Sequence, residues 1–412
     1  MSRAPLRVAV LGAGTVGLEV IRAFEAFPER LAPADGAAVT LVGVAVRDLD
    51  RARARGVPAD LLTDAPAHLV ASPEVDAIVE VMGGDEPART LTAAALGAGK
   101  PVVTANKHVV AHHGPELEAI ARRTGAALRF EAAVAGGTPI LGPLAVELAA
   151  DRIDALRGIV NGTSNHILTG MASGGRSYAD VLREAQAAGY AEADPGGDVE
   201  GDDAVNKLVI LARLAFGSWL EPGSIERRAP TVDGPGAPGI TGVTSDELKA
   251  AAVLGLTLKL LAAARRLDDG SVAGTVVPTA VRGDSPLGRT GGVGNRIELD
   301  GTPIGRVAIE GPGAGGPATS SAVLGDLIAI ARGGSSSWAG LAPAGPAVRA
   351  AADAEPRRRF FATTLPEQLV RDQVEIELAK GGGFVAAARP LDELRAGLAA
   401  AGVEATLYPV DA

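Results

Sequence analysis

Two textures of apolar and polar positions follow one another along the chain. Up to about residue 135, short apolar runs alternate with stretches of helical spacing. Strands are predicted at Arg7–Leu11, Thr40–Val46, Ala77–Val81, Pro101–Thr104 and Ala127–Phe130, with helices at Val16–Phe27, Pro87–Ala98 and Pro115–Thr124. That rhythm predicts a parallel sheet with helices on its faces. From about Gly136 helical spacing dominates, at Pro139–Ala149, Asn165–Ala172, Tyr178–Ala188, Asp203–Phe216 and Thr244–Arg266. The last opens with Thr244-Ser245-Asp246-Glu247, a capping-box pattern. Strand-like runs follow at Val272–Val277, Arg296–Leu299 and Arg306–Ile309, then an apolar helix at about Ala318–Ala331. The C-terminal part reads strand, short helix, strand, strand, helix, strand between Phe360 and Pro409, a small independent βαββαβ unit.

These textures divide the chain into residues 1–135 (completed by 311–332), 136–310, a linker at 333–347, and the unit at 348–412. A length of 412 residues agrees with several cores rather than one. The net charge of −10 argues against nucleic acid or an anionic membrane as partner. The chain has no cysteine, which excludes disulfides, thiolate metal sites and a cysteine nucleophile. No signal-peptide pattern precedes the first glycine turn, so a cytoplasmic setting is expected.

Three groups of residues carry chemistry. Val8–Leu11 runs into Gly12-Ala13-Gly14-Thr15-Val16-Gly17, a strand followed by GxGxxG and a helix. The first glycine makes a tight turn, the second admits a pyrophosphate, and the third lets helix and strand pack closely. The cofactor-binding set is therefore Gly12, Gly14, Thr15, Val16 and Gly17. At the end of the second strand, Arg47 suits the 2′-phosphate of NADP, while Asp48 suits the ribose of NAD. NADP is favoured, with NAD as the other option. Lys107 ends a strand of the wound sheet, where ligands bind, and so is either a cofactor- or substrate-binding residue or a solvated loop lysine.

The second group is Gly189–Lys207, six carboxylates and one lysine bent by glycines and a proline. Asp203 and Lys207, four apart, share a helix face, and Glu192 and Asp198 precede them on the loop. Glu200 and Asp202 are expected to face water. Such a stretch can grip an ammonium group and move a proton. The third group, His108, His112 and His113, has the spacing for two zinc ligands, but no third ligand is evident.

In order along the chain, GxGxxG at Gly12–Gly17, EVMGG at Glu80–Gly84, VVTANK at Val102–Lys107, FEAAVAGG at Phe130–Gly137, NGTSN at Asn161–Asn165, the acidic stretch at Gly189–Lys207 and GPGAGG at Gly311–Gly316 resemble homoserine dehydrogenases, over about residues 6 to 332. The resemblance implies an α/β fold: a Rossmann-type parallel-sheet domain and an α+β substrate and dimerisation domain. It implies NAD(P)-dependent interconversion of L-homoserine and L-aspartate 4-semialdehyde, a step toward threonine and methionine. Lys107 and Lys207 are then the candidate proton carriers, with Asp203 orienting Lys207. Glu192 and Asp198 would hold the substrate ammonium, and Tyr190, Gly162 and Thr163 would line the pocket. Gly311 joins the cofactor set. A monovalent cation, sodium or potassium, maps onto Glu131, Val134, Gly136 and Thr138, largely through carbonyls. Thr138 and His166 stand where the family has apolar and aromatic residues. Family members are usually dimers through a sheet in the substrate half. The C-terminal unit looks like a shortened ACT-type module, which would bring feedback control by threonine. Aspartate-semialdehyde dehydrogenase, which needs a cysteine, and a non-catalytic dinucleotide sensor are the competing readings.

Overall fold

The computed structural model describes residues 4–192, 194–352, 358–363 and 374–411. In the first part, β1 (Leu6–Leu11), α1 (Thr15–Ala26), β2 (Val39–Ala45), α2 (Leu49–Ala54), β3 (Leu62–Thr63), α3 (Pro66–Ala71), β4 (Ala77–Glu80), α4 (Ala88–Gly97), β5 (Val102–Thr104), α5 (Lys107–Thr124) and β6 (Leu128–Arg129) alternate strand and helix. The six strands are parallel and ordered β3-β2-β1-β4-β5-β6, so the strand order reverses beside β1. In such a sheet ligands bind outside the carboxyl ends of the strands at that reversal.

α6 (Leu141–Ala145), β7 (Arg152–Ile159), α7 (Gly162–Gly174), α8 (Tyr178–Ala187), α9 (Gly196–Val199) and α10 (Asp202–Phe216) follow. After them come a two-stranded ribbon of β8 (Arg228–Pro230) and β9 (Pro235–Pro238), α11 (Ser245–Val253), β10 (Leu256–Arg266), β11 (Val272–Arg282), α12 (Pro286–Arg289), β12 (Gly294–Thr302) and β13 (Gly305–Pro312). The helix predicted over Thr244–Arg266 is thus α11 followed by β10. The capping box forms at Thr244 as expected, but the helix ends at Leu254, where Gly255 takes a left-handed conformation (φ +74°). α13 (Gly316–Ala331) returns to the first sheet, and its Val323 and Leu327 share a core with Val8 and Val10.

The second sheet has nine strands, ordered β13-β12-β7-β10-β11-β17-β14-β16-β15. Its last four members are β14 (Arg358–Thr363), β15 (Ile376–Lys380), β16 (Gly383–Arg389) and, after α14 (Leu391–Ala400), β17 (Tyr408–Asp411). β17 pairs parallel with β11, Ala280 opposite Val410, so the C-terminal strands extend the sheet of the middle part. The short first helix predicted in that unit falls on 364–373, outside the described residues.

α5 begins at Lys107, not near Pro115 as the proline suggested. Asn106 caps it by accepting the Val109 N–H, and Pro115 lies inside it. Beside that proline, Gly114 lies against the Trp219 ring, where a Cβ would come within 2.6 Å. One turn on, the buried Glu118 carboxylate accepts two hydrogen bonds from Arg213 of α10 (2.9 and 2.7 Å), one from Arg122 and one from Trp219 Nε1 at 2.8 Å. This network clamps α5 to α10.

Glu118→Ala is expected to leave Arg213 buried without a counter-charge and to lower unfolding free energy by about 3–5 kcal/mol. The urea midpoint measures this, and a shift below about 1 kcal/mol would contradict the clamp.

Candidate active site

The glycine turn is built as its sequence suggests. Gly12 is left-handed (φ +107°), and a Cβ there would meet Val81 O at 2.8 Å. A Cβ on Gly17 would stand 2.0 Å from Gly12 O, so the start of α1 lies flat on the turn. At Gly14 a Cβ meets nothing within 4 Å, which leaves open space above the turn. The first α1 hydrogen bond runs from Leu18 N to Gly14 O. The amides of Thr15, Val16 and Gly17 are therefore unpaired within the helix.

Gly12, Ala13 and Gly14 border a cleft of about 620 Å³ that also takes in Arg47, Asp48, Arg51, Arg55 and the Met82–Gly84 loop. Asp48 is committed: its carboxylate accepts the Arg51 N–H and caps α2. Arg55 donates to Ala13 O at 2.9 Å. Arg51 and Arg55, four apart on α2 and its C-terminal cap, were missed in the sequence. The loop of Gly311 is wedged between two backbones. A Cβ on Gly316 would meet Thr15 O at 2.9 Å, and one on Gly136 would meet Gly313 O at 2.8 Å. The two glycine motifs thus adjoin.

Gly84, on the border of this cleft, accepts from Asn106 Nδ2 at 2.8 Å. The next residue is Lys107, and its ammonium reaches Asp203 Oδ1 at 2.7 Å. Lys207 reaches the other oxygen, Oδ2, also at 2.7 Å. One carboxylate therefore bridges two ammonium groups. Asp203 and Lys207 are buried at the start of α10, where the helix N-terminus favours a negative charge at Asp203. Lys107 is half exposed.

Burial pushes the Lys207 ammonium down from its ordinary range, against the pull of Asp203. Asp203 holds Lys107 above its ordinary range, with Asp198 and Glu192 adding to that. Burial works to raise the Asp203 pKa, but the two lysines outweigh it and hold the carboxyl well below the usual carboxylate range.

Asn161, in the NGTSN motif but not singled out in the sequence, organises the acids. Its Nδ2 donates to Asp198 Oδ1 at 2.7 Å and Asp203 Oδ2 at 2.8 Å, while its Oδ1 caps α7 through Ser164 N. Lys207 also donates to Val160 O at 2.6 Å, on the preceding residue. Thr163 Oγ1 donates to Tyr190 O, and the Tyr190 ring lies 5.1 Å from that of His166. Gly162 packs under Val293 O, where a Cβ would come within 2.9 Å. Glu192 is exposed, and Asp202 pairs with Arg227 on the surface. Lys259, its pKa pushed down to about 8 by burial, anchors Asn165 from behind.

The cation candidates lie at the crossing between the two sheets. The Glu131 carboxylate is occupied by the N–H groups of Ile140, Leu141 and Gly142 at 2.6–2.9 Å, and its carbonyl accepts the Val134 N–H at 3.3 Å. The carbonyls of Val134, Gly136 and Thr138 accept no backbone hydrogen bond among the described residues. His113 pairs with Asp85 at 2.7 Å and His108 stacks on His112. No group of three or more His, Asp or Glu among the described residues is placed to hold a metal.

A wound parallel sheet with an open glycine turn, joined through one loop to paired lysines, defines an NAD(P)-dependent oxidoreductase. Two family models match the chain: a homoserine dehydrogenase NAD-binding domain over residues 12–131 and a homoserine dehydrogenase domain over 139–328. The homoserine dehydrogenase of Mycobacterium tuberculosis is 45% identical over 332 residues, 80% of this chain and 73% of that one. That of Corynebacterium glutamicum is 42% identical over 329 residues, 79% and 72% of the two chains. A homoserine dehydrogenase structure from Thiobacillus denitrificans superposes with a TM-score of 0.88 at 32% identity, covering 100% of this chain and 99% of the other. A hyperthermophilic archaeal homoserine dehydrogenase in complex with NADPH has a TM-score of 0.65 at 27% identity, over 79% and 97%. The chain belongs to the homoserine dehydrogenase family. Its reaction is the NAD(P)-dependent interconversion of L-homoserine and L-aspartate 4-semialdehyde, in threonine, methionine and isoleucine biosynthesis.

Asn161→Ala is expected to cost about 1–2 kcal/mol through the lost α7 cap. It should also lower kcat/KM for homoserine at least about tenfold, because Asp198 and Asp203 lose their shared donor. Thermal melts and steady-state kinetics on one preparation check both.

Proposed function

We propose that Lys207 takes the hydroxyl proton of homoserine while Lys107 stays cationic beside the reacting oxygen. The sharing of Asp203 between the two ammonium groups carries this reading. The depressed member of the pair is the better base, and the raised member is the better fixed charge. In the oxidation, the carbinol O–H gives its proton to Lys207 and the C–H bond gives up a hydride, leaving an aldehyde. A bound nicotinamide dinucleotide supplies the hydride acceptor. Asp198 and Glu192 hold the substrate ammonium, Tyr190 closes the pocket wall, and the free amides of Gly162 and Thr163 at the start of α7 suit the substrate carboxylate. The cofactor lies on Gly12, Gly14, Thr15, Val16 and Gly17, with Gly311 on the facing loop. The main-chain carbonyls of Glu131, Val134, Gly136 and Thr138 would hold a sodium or potassium ion, which would stiffen the crossing. We read residues 1–135 with 311–332 as the cofactor domain and 136–310 as the substrate domain. The cytoplasm is the proposed location, and a homodimer through the open face of the nine-stranded sheet is the proposed assembly.

The sign of the pH dependence follows from the base. Homoserine oxidation needs Lys207 neutral, so its kcat/KM rises with pH through a value below the ordinary lysine 10.5. Aldehyde reduction needs the same group protonated and falls over that range. Following nicotinamide absorbance with L-homoserine and either cofactor tests this. Lys207→Ala should lose about 10²–10⁴ in kcat and flatten the rise. An unchanged alkaline rise in Lys207→Ala would transfer the proton to Lys107.

NADP is the proposed preference, because Asp48 is spent on capping α2 while Arg47 and Arg51 border the cleft. Arg47→Ala and Arg51→Ala should each raise KM for NADP about tenfold, the worth of one charge-assisted hydrogen bond, and leave KM for NAD within about twofold. Equal effects on both cofactors would rule the 2′-phosphate role out.

A further inference from the structure

A buried carboxylate that the proton chemistry does not use stands at the end of β4. Glu80 is fully buried. Its Oε2 accepts from the Thr104 hydroxyl at 2.6 Å, and its Oε1 accepts from Met82 N at 2.8 Å. Burial raises its pKa, while these donors pull the other way. With its O–H donated to Glu80, the Thr104 oxygen accepts the Asn106 N–H at 2.9 Å. Asn106 in turn divides its amide: Oδ1 caps α5 at Val109 N (3.2 Å), and Nδ2 holds Gly84 O (2.8 Å). Lys107 is the first residue of that capped helix. The relay thus ties the Met82–Gly84 border of the dinucleotide cleft to the backbone that carries Lys107.

Every link has one available direction. The Asn106 N–H can only donate, so the Thr104 oxygen accepts there and its own O–H is left to donate to Glu80. Thr104 itself is fully buried, so water does not compete for either bond. A hydroxyl is needed at 104 because the position must both donate and accept. Serine can do this, and valine can do neither.

We propose that Glu80, acting through Thr104 and Asn106, is a positioning residue that sets the Lys107 ammonium against Asp203 and the reacting oxygen. It touches neither substrate nor the reacting atoms. The proposal rests on the lysine reading above, and the experiment separates the two.

Thr104→Val, Thr104→Ser and Glu80→Gln are compared in the Lys107 enzyme and in Lys107→Ala. With Lys107 present, Thr104→Val should lower kcat for homoserine oxidation about 10- to 100-fold, as a displacement of about 1 Å does. Thr104→Ser should recover kcat to within about threefold, and Glu80→Gln should fall between. In the residual activity of Lys107→Ala, Thr104→Val should add less than about twofold, because the two changes act on one group. Full activity of Lys107→Ala alone would remove the lysine reading and this proposal with it. An impaired Lys107→Ala beside an unaffected Thr104→Val would overturn only the positioning role. So would equal loss in Thr104→Ser and Thr104→Val, or losses that multiply in the double variant. If Thr104→Val fails to fold by circular dichroism, Glu80→Gln carries the same comparison.

Discussion

The site depends on one buried carboxylate that two ammonium groups cannot do without. Removing lysine and aspartate side chains from water is costly, and their attraction offsets that cost only when each charge is met at close range. Asp203 meets both cations with separate oxygens. It has no freedom to turn, because Asn161 holds the same Oδ2 that Lys207 uses. The cations also differ in setting, one buried and one half exposed. From that difference comes the opposite displacement of their pKa values, Lys207 down by burial and Lys107 up beside Asp203.

That pair spans two helices, so its geometry is only as good as the contact between α5 and α10. Three features hold the contact. The Glu118–Arg213 clamp fixes the helices at depth, Gly114 lets Trp219 close in between, and the Asn106 cap fixes where α5 begins. Arg213 also donates to Ala342 O, so the segment leaving α13 is tied to the same clamp. The lysine geometry is thus set from both ends of α5: by the cap beside the cofactor cleft and by a buried ion pair three turns away.

Much of this was legible in the sequence because its signals were local. GxGxxG is a six-residue pattern, and Asp203 with Lys207 reports one helical turn. What escaped was non-local or ambiguous. Leu256–Arg266 is apolar at both parities because β10 is buried on both faces over most of its length, and such a run has no period to distinguish strand from helix. Pro115 looked like a helix start, since proline favours a first turn, yet here Asn106 supplies the start and tertiary packing accepts the proline. Asn161 and Glu80 act through partners 24 to 42 residues away, and no local pattern reports that. Asp48 stood as the alternative ribose ligand for NAD, and its role as the cap of α2 was not read from the sequence.

The C-terminal strands bear on how regulation could be tested. As a separate βαββαβ unit, they could be cut away to ask whether threonine still acts. In the structure β17 covers the edge of β11, and Asp411 pairs with Arg157 of β7. Val348 and Ala351 also bridge to Leu220 and Ala273 in the middle part. Truncation after Ala347 would expose an apolar strand edge, which invites association, and would strip a partner from Arg157. Loss of an effector response in the truncated chain would then mix a missing site with a disturbed sheet. Point substitutions that leave β17 paired ask about the effector alone, because they keep the sheet on which α10 and its buried lysine rest.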